Sequence, residues 1–424
     1  MAAGMRTGSL RGLRVVDLSR VLAGPYCGQM LADHGAEVVK VEGPAGDETR
    51  EWGPPFAAGG VSAYYTNLNR DKRNIVVDLA QPEGRAVVED LLADADVVLE
   101  NFKAGTLDRW GWTREVLERR YPRLIHCRIT GFGTDGPLGG LPGYDAVLQA
   151  YGGLMSVNGE PEGGPLRVGV PVVDVVTGVL AFSGILLALQ ERQTSGRGQL
   201  VDLTLLDTAI SLLHPHSGAW LADGTEGRRT GDAHPTIAPY ESYPTQDGPL
   251  FIGAGNDRQF AVLTEVLGAP ELAEDPRFRS NRDRLRHVGE LRRLLRPRIA
   301  RHGRQGLAEA LLARGVPASP VHSIAEALTA EQVRHRGMVV ERADYRGIGI
   351  PITLGRTPGA VGAAPRAAGA DTADVLAELG YTADDVDRLV AAGVVRRVDP
   401  APAPLWPVVG AVVGRAHAPR TERT

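Results

Sequence analysis

A chain of 424 residues is too long for one ordinary core and suits two domains. Its 43% hydrophobic and 23% charged content is that of a soluble globular protein, and its 53 glycines and 29 prolines follow no short period, which excludes collagen-like and low-complexity organisation. The formal net charge of −4, without a dense basic run, argues against nucleic-acid binding.

Cys27 and Cys127 form no CxxC pair, so neither a disulfide framework nor a structural zinc site is expected, and a reducing, cytoplasmic setting suits them. The opening MAAGMRTGSLRG carries no apolar run of the secretory kind and reads as a flexible segment over 1–12. The most apolar stretch, Val179 to Leu189, falls well short of the ~20 residues that span a bilayer, so a buried core helix is the expectation, with no membrane involved.

Between Leu13 and about Val201, short β-rich runs alternate with helical segments. Strands are predicted at Arg14–Leu18, Glu37–Val41, Asn74–Leu79, Val97–Glu100 and Leu124–Thr130, and helices at Pro25–His34, Pro82–Asp94, Arg114–Arg120 and Tyr144–Leu154. Apolar runs in the strands suggest burial on both faces, hence an α/β fold with a mainly parallel, doubly wound sheet. A long helix over Pro171–Arg192 follows, and Val201–Leu213 reads as a strand running into another helix. Pro249–Gly253, a helix over Arg258–Leu267, an Arg-rich helical region from Asn281 to Ala313 and the strand-like GVPASPVHSI form a second unit. A helical pair covers Thr372 to Ala392. The boundaries expected are a large domain over 13–200, a linker over 201–230, a small α/β domain over 231–330, a return segment over 331–395 completing the large domain, and a disordered tail over 396–424.

Gly131, Gly133 and Gly136 make a GxGxxG after a predicted strand. A dinucleotide fingerprint needs a helix to begin there and hold the pyrophosphate. Pro137, Gly139, Gly140 and Pro142 follow instead, so a turn, or a loop touching some other ligand, is the better reading.

Asp174 is a charge alone in VGVPVVDVVTGVLAFSGILLAL. It can cap the helix, since aspartate is favoured at an N-cap. The same geometry keeps a carboxylate ionised beside the helix dipole and, among apolar walls, ready for nucleophilic attack on an acyl carbon. Gly178, Ser183 and Gly184 leave room on this helix for another backbone or a ligand.

Several ordered segments together resemble the class III CoA-transferase family, also called CaiB/BaiF or formyl-CoA transferase-like. They are RVVDLSRVLAGPYCGQMLADHGAEVVKVE, NRDKRNIVVDL, VVLENFKAGTLDRWG, ITGFGTDGPLGGLPGYDAVLQAYGGLMSVNGEP, RVGVPVVDVVTGVLA, TSGRGQLVDLTLLDTAI and GAGNDRQF. The match runs from about Leu13 to Val395. The stretch GDAHPTIAPYESYPTQDGPLFIGAGNDRQF is similar to enzymes using succinyl-CoA and dicarboxylic acids such as glutarate.

The resemblance implies that Asp174 is the nucleophile of a double displacement through an aspartyl-CoA thioester. CoA and acyl-CoA are then substrates, no cofactor is tightly bound, and no metal or redox group is required. It implies a Rossmann-like, CoA-binding large domain, a smaller domain, and an interlocked homodimer in which each chain threads a ring formed by the other. By motif position, Val21, Asn101, Phe102 and Arg109 match CoA contacts, while Arg70, Lys72 and Arg73, with Lys103, are the basic partners expected for the CoA phosphates. The Gly253-Ala254-Gly255-Asn256 loop resembles a segment that shields the intermediate from water; its plainer reading is a turn after a strand. His234, Tyr240 and Arg258 are candidates for holding the distal carboxylate of an acid.

The sequence departs from the family pattern in three places, one of them the altered loop around Gly355–Arg366. Racemases of the family need the histidine of GHD, whereas Gly143-Tyr144-Asp145 offers a phenol with an ordinary pKa near ~10, a poor base at neutral pH. The LGEHT-like segment appears as Ala368-Gly369-Ala370-Asp371-Thr372. CoA transfer between acids is therefore the first expectation. An acyl-CoA racemase and a non-catalytic acyl-CoA-binding protein are the alternatives.

Overall fold

The computed structural model describes residues 8–57, 60–342 and 344–398. The chain divides into two compact units, one drawn from 1–144, 173–208 and 334–424, the other from 145–172 and 209–333. The expectation of a disordered tail falls mostly on 399–424, and that of a flexible start on 1–7; both lie outside the described residues.

The described strands are β1 (Arg14–Asp17), β2 (Glu37–Glu42), β3 (Lys72–Val77), β4 (Val97–Glu100), β5 (Ile125–Thr130), β6 (Leu200–Thr204), β7 (Tyr240–Pro244), β8 (Pro249–Gly253), β9 (Ala318–Pro320), β10 (Val339–Glu341), β11 (Arg346–Ile348) and β12 (Val395–Arg396). In the first unit, seven of them form one sheet in the order β12-β3-β2-β1-β4-β5-β6. All neighbours pair in parallel except β12, which runs antiparallel to β3 at the edge. The order 3-2-1-4-5-6 is that of a doubly wound nucleotide-binding sheet, in which connections reverse direction between β1 and β4.

Alternation along each strand builds two cores. Val16, Val39, Ile75, Val77 and Val98 face one layer, with Val87, Val88 and Leu92 of the Pro82–Ala93 helix and Leu376 and Leu389 of the C-terminal helical pair. Val15, Val38, Val97, Leu99, Ile125 and Cys127 face the other, against the Ala23–Asp33 and Val172–Ser195 helices. Burial on both faces explains why these strands read as continuous apolar runs.

The Val172–Ser195 helix corrects one expectation. It has 24 residues and is long and apolar enough to cross a membrane by length and composition. One face is committed to the core through Val173, Thr177, Ala181, Phe182, Ile185 and Ala188. The other is not buried: Val179, Leu180 and Leu187 are exposed.

The second unit has a three-stranded antiparallel sheet, β7-β8-β9, whose residues Tyr243, Leu250, Ile252 and Ala318 pack with Phe260, Leu291, Leu295 and Leu311 of the surrounding helices. The linker expected over 201–230 is corrected: β6 completes the large sheet, and helices Leu205–Ser211 and His216–Asp223 follow it. Residues 145–172, expected in the large domain, group with the second unit.

Candidate functional site

The loops leaving the carboxyl ends of the parallel strands meet where the strand order reverses, the place where such sheets hold ligands. A cavity of about 160 Å³ opens there. The Arg20–Ala23 turn after β1, Asn101–Ala104 after β4, and Thr130, Gly131, Gly133 and Gly140–Tyr144 after β5 line it, with Leu205 and Asp174. Glu48, which opens a short 3-10 helix beyond β2, pairs with Arg20 at 3.1 Å.

Asp174 lies in the first turn of its helix, at the third position rather than at the N-cap. The helix starts at Val172, just after Pro171, so its first N–H groups have no intrahelical acceptors and the positive dipole end faces the carboxylate's turn. One turn on, the Cβ that Gly178 lacks would stand 2.7 Å from the Ala23 carbonyl oxygen. Glycine there lets the Ala23–Asp33 helix and its preceding turn approach the Asp174 helix closely.

That turn is held under strain. Val21 has φ = 71°, a left-handed conformation that a β-branched residue adopts only when its surroundings impose it. On one side Asn101 brackets the preceding peptide, its Oδ1 accepting from Arg20 N–H (2.9 Å) and its Nδ2 donating to Arg20 C=O (2.7 Å). On the other, the Asp17 carboxylate accepts from the backbone N–H (3.0 Å) and the hydroxyl of Ser19, and Lys40 Nζ donates to the Ser19 carbonyl (2.8 Å).

Lys72 completes this support. Its Nζ donates to Asp17 (2.9 Å), Pro25 C=O (2.7 Å) and Asn69 (3.0 Å), and the residue is 3% exposed. Gly28 makes room for it, since a Cβ would lie 2.7 Å from the Asp17 oxygen and 3.0 Å from Lys72 Nζ. Burial pushes the Asp17 carboxyl upward, but Lys72, Lys40 and Ser19 outweigh it and hold it below the usual carboxylate range. Burial lowers the Lys72 ammonium, and Asp17 offsets only part of that.

The three basic residues expected on the CoA phosphates are therefore corrected. Arg70, 2% exposed, spends its guanidinium on Asp33 (2.7 Å twice), Tyr345 (3.3 Å) and the Ile348 carbonyl. Lys72 is consumed by Asp17, and Arg73 pairs with Glu37 and Glu378. In Arg70 and Lys72 a charge already neutralised and desolvated has little left for a phosphate, whereas Arg73 stays partly exposed with its guanidinium shared between two carboxylates. None of the three lines the Asp174 cavity.

Val21, Asn101, Phe102 and Tyr144 do line it, together with Asp174. Phe102 stands edge-on to Trp110 with ring centroids 5.2 Å apart, and its N–H donates to Glu100 at 2.8 Å. A second cavity of about 570 Å³ shares Phe102, Lys103 and Ala104 with the first and continues past them toward His126 and Arg128. Arg109 is exposed and bonds Thr106 at 3.1 Å, lining neither cavity.

The GxGxxG loop forms no helix before Asp145, and Gly133, Gly136 and Gly140 take positive φ as a run of turns. Gly131 and Gly133 line the Asp174 cavity, a wall that fits the alternative of a loop touching another ligand. Sequence reasoning missed Arg20 and Glu48. The signal for Arg20 was present in the RVLAGP run, where only Val21 drew notice, whereas Glu48 lies outside every motif singled out.

The remaining candidates belong to the second unit. Gly253 ends β8, and Asn256 caps the Asp257–Val266 helix by accepting from Gln259 N–H (2.9 Å), while Gly255 N–H donates to the Gln259 side chain (2.9 Å). His234 and Tyr240 stack edge to face with centroids 5.3 Å apart and line a cavity of about 370 Å³. Arg258 is exposed and does not line it.

Residues 10–372 match the profile of CoA-transferase family III. A succinate–glutarate CoA-transferase of Agrobacterium fabrum is 44% identical over 87% of this chain and 95% of its own length. The succinyl-CoA:glutarate CoA-transferase of Mus musculus is 40% identical over 78% of this chain and 76% of its own. A crystal structure of a CaiB/BaiF family protein from Brucella suis, 40% identical, covers 88% of this chain and 100% of its own at a TM-score of 0.81. The chain belongs to CoA-transferase family III and is an enzyme that transfers CoA.

Proposed function

We propose that this enzyme moves CoA from succinyl-CoA to a dicarboxylic acid, with Asp174 carrying the group as a thioester. Asp174 attacks the donor's thioester carbonyl, giving a mixed anhydride and CoA thiolate. The thiolate attacks the aspartyl carbonyl, forming the aspartyl-CoA thioester and releasing succinate. An acceptor carboxylate attacks that thioester, CoA thiolate leaves again, and its attack on the acceptor's acyl carbon yields the new acyl-CoA and frees Asp174. Each step exchanges groups of similar transfer potential, so one hard exchange becomes several nearly balanced ones.

The observation that carries the reading is the placement of Asp174: a half-buried carboxylate in the first turn of an apolar helix, in a cavity at the reversal point of the sheet. The cavity wall at Asn101–Ala104 is the proposed seat of the CoA arm, with Lys103 its accessible cation. Tyr144 in that wall, where a racemase needs a general base, supports transfer over racemisation. The names of the relatives support succinate and glutarate as the acids.

A homodimer is part of the proposal. Leu187 at 73% exposure in the first unit, and Leu221 at 76% and Ile324 at 79% in the second, are apolar surface of the kind obligate partners cover. Borohydride after incubation with succinyl-CoA tests the chemistry, because it reduces an aspartyl thioester to an alcohol. Peptide mapping should find the reduced side chain at 174; an unmodified Asp174 in a turning-over enzyme would remove the proposal.

A further inference from the structure

Strand β4 ends on a buried carboxylate. Val97 and Leu99 face one core and Val98 the other, so the alternation puts Glu100 on the Val98 side, where an apolar residue would extend the pattern. Glu100 is 2% exposed. A carboxylate at such depth is costly unless hydrogen-bond donors meet it. One donor is the Phe102 N–H, which reaches Oε2 at 2.8 Å. The other is the ring of His126 on the neighbouring β5, whose Nε2 stands 3.4 Å from Oε1. Arg128, opposite Glu100 in the β4–β5 register, hydrogen-bonds Asp202 on β6 instead, at 3.0 and 2.7 Å.

His126 is 7% exposed, and its Nδ1 has no hydrogen-bond partner among the described residues. In the neutral ring one nitrogen carries the proton. A proton on Nδ1 would be a buried donor without an acceptor, and it would leave the Nε2 lone pair facing a carboxylate oxygen. A proton on Nε2 avoids both, so the ring donates to Glu100.

Glu100 is thus fixed by β5 and in turn fixes the peptide two residues on, where the chain leaves the sheet. That segment, Asn101–Ala104, is a wall of the Asp174 cavity, and Asn101 within it brackets the Arg20 peptide. The Phe102 ring packs edge-on to Trp110 at 5.2 Å. Glu100 and His126 do not line the Asp174 cavity; they line the second one, which shares Phe102, Lys103 and Ala104 with it.

From this geometry we infer that Glu100 is a positioning residue for CoA transfer: it holds the Asn101–Ala104 wall in the shape that seats the CoA arm, and His126 holds Glu100. The inference rests on the reading of that wall given above and assigns roles to two residues that act through it.

Titration calorimetry of the full chain with free CoA, beside hydrogen exchange at the Phe102 amide, tests it. Glu100→Ala should weaken CoA about 10-fold and speed exchange of that amide, the consequence of losing a hydrogen bond to a carboxylate. Glu100→Gln keeps an oxygen for the N–H and should stay within about 3-fold of wild type. His126→Phe, which leaves Glu100 held by the peptide alone, should fall between the two. In turnover, Glu100→Ala should raise the KM for succinyl-CoA about 10-fold and leave that for the acceptor acid unchanged. CoA binding as tight in folded Glu100→Ala as in wild type would overturn the inference, even with a lowered melting temperature. So would a loss as large in Glu100→Gln as in Glu100→Ala, or KM values that rise equally for donor and acceptor. Should Glu100→Ala not fold, His126→Phe decides: weaker CoA and faster Phe102 exchange support the inference, and wild-type values of both overturn it. Failure of the transferase reading looks different: Asp174 would carry no adduct after succinyl-CoA, while CoA binding still depended on Glu100.

Discussion

Asn101 holds the Arg20 peptide from both ends, accepting its N–H at 2.9 Å and donating to its C=O at 2.7 Å. Both hydrogen-bonding groups of the side chain are thereby spent on backbone, one residue before the strained Val21. Asn101 is a positioning residue for the cavity wall, and its variant should show that. Asn101→Ala loses two hydrogen bonds, each of about 1 kcal/mol. The value of kcat/KM for the acyl-CoA donor should fall about 10-fold or more, mostly through a turn that no longer keeps its shape. Asn101→Asp retains the acceptor alone and should fall between wild type and alanine in steady-state kinetics.

Lys72 separates a structural cation from a phosphate-binding one. Lys72→Met leaves Asp17 buried without its main counter-charge and should cost about 3 kcal/mol in denaturant unfolding. The salt dependence of CoA binding to the folded variant should match wild type. A flattened salt dependence would put Lys72 back on the phosphates. Lys103→Gln should produce that flattening instead, because Lys103 is exposed on the cavity wall.

Acid should unfold the first unit through the same cluster. Asp17, Glu42 and Asp47 are each pushed up by burial, and their cationic neighbours and hydrogen-bond donors outweigh it and hold them below the ordinary carboxylate range. A folded pKa below the unfolded one adds stability that is fully present above the unfolded value, near ~4, and is lost as pH falls through the folded value. The melting temperature should therefore hold from about pH 8 to 5 and drop steeply below about pH 4. A melting temperature unchanged down to about pH 3 would contradict the buried network.

Gly178 tests the close approach of the two helical segments. A Cβ there would sit 2.7 Å from the Ala23 carbonyl, against backbone that has little freedom to give. Gly178→Ala should cost about 1–3 kcal/mol by thermal melting. It should also lower kcat, since the displaced segment includes the turn facing Asp174. Gly169→Ala, with open space around its Cβ position, is the control and should be near neutral.

Much of the first unit was legible because buried parallel strands write themselves as apolar runs. Val97–Glu100 is bounded by the structure as the sequence suggests, three other predicted strands differ by one residue at one end, and β3 lies two residues upstream of its predicted span. Asp174 was legible as a lone charge in an apolar helix. What sequence could not reveal was where the cations go. NRDKR looks solvated in one dimension, yet folding brings Asp33, Asp17 and Glu378, remote in sequence, onto its three cations. The linker boundary failed although Val201–Leu213 was read as a strand running into a helix, as β6 and the Leu205–Ser211 helix are: the glycines and charges after Ala219 masked a further helix that ends only at Asp223.

Intact-protein mass spectrometry of the enzyme held with succinyl-CoA and no acceptor reads the central claim most directly. A gain of one CoA less one water, mapped to Asp174 and erased by addition of glutarate, is the expected result. CoA exchange at the wild-type rate in Asp174→Asn, with no such mass on either protein, would contradict it.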